Sequence, residues 1–221
     1  MPLGYKSGSI RSGISLSDEQ LNIVLQCMAR AVTVRELCEE SGLERHTADA
    51  IRFKVMYAIA QFQAGIKLEN SAVLAFSSVK TSEKGAKVCV LDRKPRLQAI
   101  FATDSTGQCI GMAGNPDSVV SGYSPDGYRR STVDDSVKEW LFQHGITKCT
   151  VQTESTRITQ YWNNRFILHF KGINTKYLGL YIAWCCYLWN AEVIGKASSD
   201  IASDLLSLIN QTERSVSNRK H

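Results

Sequence analysis

The chain reads as an α+β protein, with a helical unit first and a mixed α/β domain after it. Three observations predict this. Residues 18–62 carry apolar residues at helical spacing, with one interruption at Gly42. After Gly65 the pattern changes to runs rich in β-branched residues, broken by Lys84-Gly85 and Lys94-Pro95. From Val133 onward helical patterns return around one short β-type run, residues 149–153. A hydrophobic share of 43% over 221 residues can build a real core, in one large domain or two small ones.

Residues 1–15 are Gly/Ser-rich with Lys6 and Arg11, and predict a flexible basic arm. Residues 16–66 predict three helices. The first spans Asp18–Arg30 with Leu21, Val24, Leu25 and Met28 inward. Thr33 with Glu36 forms a capping box, each side chain satisfying a backbone N–H that the other exposes. Val34, Leu37 and Cys38 make one short apolar face, and Gly42 supplies a tight turn because it takes positive φ without a Cβ clash. The next helix sets Ala48, Ile51, Val55, Ala58, Ile59 and Phe62 on one stripe. Its opening turns carry Arg45, His46, Thr47 and Asp49, with Arg52 one turn further on. This is the layout of a helix-turn-helix whose second helix enters the DNA major groove by its N-terminal end. A helical hairpin that serves only as packing is the competing reading.

Residues 67–195 predict the α/β domain. Residues 71–80, 86–94 and 97–113 read as three strands, and residues 114–130 as a turn-rich surface loop. Val133–His144 reads as a helix with Val137, Trp140 and Leu141 inward. A strand at 149–153 and helices at 157–170 and 174–192 follow. Three strands, then helix, strand and helices is the element order of an RNase H-like fold, an order other α/β folds share. Residues 196–221 predict a further helix and a basic tail. Its stripe of Ile201, Leu205, Leu208 and Ile209 suits either a homodimer through this helix or a cap on the domain.

The net charge of +5 and the pI of about 8.8 are compatible with nucleic acid without being diagnostic. No long uncharged apolar run predicts a membrane helix, and the N-terminus lacks the apolar stretch of a secretory signal. The expectation is an intracellular protein, cytoplasmic and nucleoid-associated if bacterial. Seven cysteines without a CxxC pair predict buried free thiols and no zinc site.

Two segments carry a resemblance. In residues 160–190 an aromatic pair, Tyr161-Trp162, precedes basic residues, then Lys176-Tyr177-Leu178, Tyr181 and a closing Asn190. In residues 133–155 a helix leads into a strand ending near Glu154. Both resemble the bacterial insertion-sequence DDE transposases related to the eukaryotic Merlin elements, and the helix-turn-helix matches the segment ahead of their catalytic domain. That chemistry needs three carboxylates holding two Mg²⁺ ions. The resemblance puts the first at Ala75, followed by Phe76, the second at Glu154 and the third near Thr159. Two of the three positions carry no acid, which implies a member that has lost its metal site and uses no cofactor. An atypical set drawn from Asp92, Asp104, Asp135 and Glu154 is the only fallback, and Mg²⁺ enters only with it. Asp134 and Asp135 read more simply as helix-opening residues, and Asp104 as a turn residue.

Binding residues remain. From Arg157 to Lys176 there are four basic residues and no Asp or Glu. Arg157, Arg165, Lys171 and Lys176 suit either a phosphate-contacting face, with Arg165, Lys171 and Lys176 the chosen candidates, or a solvated helix face, while Trp162, Phe166 and Phe170 form a core-type stripe. The expected partner is double-stranded DNA. The expected role is a regulator or accessory factor of a mobile element, derived from a transposase. A working transposase and a protein-interaction scaffold are the alternatives.

Overall fold

The computed structural model describes residues 16–79, 97–115, 117–123, 129–152, 154–170 and 173–217. The protein is mixed α/β and forms two compact units, residues 1–62 with 194–221, and residues 63–193.

In the first unit, α1 (Asp18–Arg30) opens on a capping box between Ser17 and Gln20 and closes on Ala31 at φ 56. Leu21, Val24, Leu25 and Met28 are buried. Helices α2 (Val34–Ser41) and α3 (Arg45–Ala64) follow. The C-terminal helix α8 (Ser198–Ser217) packs against α1 and so belongs to this unit, not to a segment of its own. Its Ile201, Leu205 and Ile209 are buried there and Leu208 is partly covered. On α3 the stripe of Ala48, Ile51, Val55, Ala58 and Ile59 is buried, but Phe62 is 48% exposed. Four-residue steps from Ile51 through Val55 and Ile59 lead to Gln63, which is buried in its place.

The second unit is built on a four-stranded sheet in the order β3-β2-β1-β6. Strands β1 (Ser71–Val79), β2 (Leu97–Thr103) and β3 (Cys109–Gly114) are antiparallel neighbours, and β6 (Lys148–Val151) runs parallel to β1. The segment 97–113, expected as one strand, therefore folds back on itself. The cause is Asp104, whose carboxylate accepts from the Thr106 hydroxyl at 2.6 Å and from the backbone N–H groups of Thr106 and Gln108 at 3.0 and 3.1 Å. The expected surface loop also contains structure: β4 (Val119–Tyr123) pairs with β5 (Arg129–Val133) as a separate two-stranded sheet. Gln98 of β2 ties it down, donating to the Val119 carbonyl and accepting from the Val119 N–H, both at 3.2 Å. The strand expected at 86–94 lies outside the described residues.

Alternation along the strands gives the sheet two faces. One carries Ala72, Leu74, Ile100, Ala102 and Ile110, packed with Val137 and Leu141 of α4 (Asp135–Gln143). The other meets α5 (Arg157–Trp162) and α7 (Leu178–Val193), with a π-helical turn, Asn163–Ile167, and the short α6 (Leu168–Phe170) between them in sequence. Phe101 of β2 lies 5.8 Å from Trp162, which stacks on Phe166. Of the aromatic stripe, Trp162 and Phe166 are fully buried in the core and Phe170 is half-buried. Gly111 lets α7 approach β3: a Cβ there would sit 2.4 Å from Ile182 Cγ2 and 2.9 Å from Cys186 Sγ. Cys27, Cys38, Cys109, Cys149, Cys185 and Cys186 are free thiols, and all but Cys38 and Cys149 are buried.

Candidate nucleic-acid interface

The turn between α2 and α3 is locally encoded. Thr33 accepts from the Glu36 N–H while Glu36 Oε2 accepts from the Thr33 N–H at 2.7 Å, which starts α2. Gly42 ends it at φ 68, where any side chain would be strained. Ser41 Oγ donates to the Leu37 carbonyl at 2.6 Å and accepts from the Leu43 N–H, so the turn's own polar groups are satisfied. Three residues later α3 begins with Arg45 and His46, both exposed. No hydrogen bond or ion pair engages either side chain among the described residues. Thr47 and Asp49 are half-buried.

Arg52 departs from its expected place on the outer face. It is 6% exposed, bonded to Asp49 Oδ1 at 3.1 Å and set over the Phe53 ring at 5.4 Å. Ala48, Ile51, Arg52 and Val55 follow i, i+3, i+4, i+7 spacing, so Arg52 lies on the inward stripe and buries its stem beside apolar neighbours. Asp49 thus engages Arg52 through Oδ1.

The second unit shows a similar sorting. Arg165 donates to the Tyr161 hydroxyl at 2.9 Å and pairs with Glu192, which also accepts from that hydroxyl at 3.0 Å. The run from Arg157 to Lys176 lacks acids, but α7 brings one to it, and no linear reading of the run alone finds that. Lys176 stays exposed above the Tyr177 ring at 4.5 Å, and Lys171 lies outside the described residues. Arg157, the first of the four basic residues in that run, is exposed. It has no carboxylate partner among the described residues, and its guanidinium lies 6.0 Å from the Trp189 ring centre.

The positions where the resemblance places metal ligands lie on neighbouring elements. β6 pairs with β1, α5 packs against β1, and Ser77 Oγ donates to Asn163 Oδ1 at 3.1 Å across that contact. Ala75 is 2% exposed and Thr159 is 4% exposed, while Glu154 is exposed beyond the end of β6. Thr159 is bonded to Thr156 in the capping box that starts α5. Of the fallback acids, Asp104 is a turn residue with its carboxylate occupied. It accepts in addition from the Glu69 N–H at 3.3 Å. Asp135 pairs with Lys138 at 2.9 Å on the first turn of α4, and Asp92 lies outside the described residues. Among the described residues no three His, Cys, Asp or Glu side chains are grouped to hold a metal ion, and no helix is long and apolar enough to cross a membrane.

No protein-family model, curated protein or solved structure matches this chain.

Proposed function

We propose that this chain is a DNA-binding protein built on the frame of an insertion-sequence transposase, without strand-transfer activity, acting as a regulator or accessory factor. The observation that carries the reading is the start of α3. Arg45 and His46 stand exposed and without an acidic partner among the described residues, directly after a capped, αL-terminated turn. The nearby cations Arg30, Arg35 and Arg52 are each held by a carboxylate. A cation that is exposed and unpaired keeps its donors for a guanine edge or a phosphate. The hairpin supports a helix-turn-helix that presents the first turn of α3 to the major groove. The antiparallel β1–β2–β3 meander followed by a strand parallel to β1 supports an RNase H-like frame.

Loss of catalysis rests on side-chain chemistry. A buried Ala75 and a Thr159 engaged in a helix cap supply no hard anionic ligand, and Glu154 alone leaves two divalent ions held mainly by water. Selection of bound duplexes from a randomised library tests binding, with an enriched sequence expected. Incubation of the enriched duplex with the protein and Mn²⁺ tests the rest. A cleavage product that disappears in Glu154→Gln overturns the non-catalytic reading.

A further inference from the structure

In the second unit Arg157 and Trp189 form a cation–aromatic pair whose cation has no carboxylate partner among the described residues. Trp189 is half-buried, and its Nε1–H donates to the Gly107 carbonyl at 3.0 Å, which fixes the orientation of the ring. Tyr161 meets it edge-on at 5.5 Å, and Arg157 sits over it at 6.0 Å. Every other atom of the indole ring is carbon, so apart from that N–H the ring is an apolar aromatic surface. The two arginines of this cluster differ. Arg165 is neutralised by Glu192, whereas Arg157 has no carboxylate partner among the described residues.

We infer that Arg157 and Trp189 form a contact for an unpaired nucleotide of single-stranded DNA, Arg157 holding a phosphodiester oxygen and Trp189 taking a base face. A guanidinium carries a fork of donors that matches a phosphate oxygen pair, and an indole is a sequence-tolerant stacking surface for any base. In a duplex the base faces are covered by their neighbours, so an indole reaches one only in a single-stranded or splayed segment. This assignment rests on the DNA-binding reading and gives the second unit a role separate from that of α3.

The test uses the full chain with a mixed-sequence oligonucleotide of about 16 nucleotides and the duplex of the same sequence. Arg157→Gln is expected to weaken single-strand binding about tenfold and to flatten the slope of log K against log salt by about 0.7. Arg157→Lys keeps that slope and recovers part of the affinity. Duplex binding by either variant stays at the parent level. Trp189→Phe keeps a smaller ring and weakens single-strand binding without changing the slope. An unchanged single-strand affinity and slope in Arg157→Gln overturns the inference, and so does a loss confined to the duplex. A chain that binds duplex but no single strand defeats this inference alone. One that binds neither probe defeats the DNA reading with it.

Discussion

Asn190 closes the edge of the sheet at Cys109. Its Oδ1 accepts from the Cys109 N–H at 2.7 Å and its Nδ2 donates to the Cys109 carbonyl at 2.8 Å. One side-chain amide from α7 thus supplies both bonds that a neighbouring strand would make to the first residue of β3. Asn190→Ala leaves both backbone groups without that partner. It is expected to cost about 1–3 kcal/mol, read as a shift in the urea midpoint. Asn190→Asp keeps the acceptor but turns a carboxylate oxygen toward a carbonyl, and is expected to cost at least as much.

Two glycines predict opposite signs. Gly111→Ala drives a methyl into Ile182 and Cys186 across the β3–α7 contact, so about 1–3 kcal/mol of stability is lost. Gly179 on α7 has nothing within 4 Å of a built Cβ. Gly179→Ala is expected to leave the fold intact and add about 0.5 kcal/mol by restricting the unfolded chain. Thermal melts of the two variants beside the parent check both.

Asp134 caps α4, accepting from the Val137 N–H at 2.9 Å and the Ser136 hydroxyl at 2.7 Å. Partial burial pushes its carboxyl up, but hydrogen bonds from Ser118, Val137 and Ser136 outweigh it and hold the group below its ordinary value of 3.8. A depressed folded pKa contributes stability that is present above the unfolded value and lost as pH falls through the folded one. Asp134→Ala is therefore expected to cost about 1 kcal/mol at neutral pH, with the gap to the parent closing below the ordinary value. Urea titrations at neutral pH and near pH 3 measure it.

The free thiols divide by burial. Burial, reinforced by Glu40, pushes Cys27 up to about 11, and burial raises Cys185 and Cys186 well above the ordinary thiol value. Alkylation of the folded chain at pH near 8 is expected to modify the exposed Cys149 well before Cys27, Cys109, Cys185 or Cys186, which react on denaturation. Peptide mapping after a short iodoacetamide pulse reads the order.

Features set by neighbours in sequence were legible. The bounds of α1, the Thr33–Glu36 box and the Gly42 turn follow from capping and turn chemistry within a few residues. Features set by distant packing were not. The β4–β5 hairpin looks like a loop because its anchor is Gln98, far upstream. Arg165 looks available because Glu192 reaches it only through the fold. Arg52 looks outward because its residue type is charged, although its spacing places it on the buried stripe.

The central claim is that the first turn of α3 binds duplex DNA. Fluorescence anisotropy with a selected duplex, between about 50 and 200 mM salt, measures it most directly. The parent is expected to lose affinity steeply with salt. The Arg45→Ala, His46→Ala double variant is expected to bind about 1–3 kcal/mol more weakly, with a shallower slope and an unchanged circular dichroism spectrum. A folded double variant with the parent's affinity and slope would contradict the account.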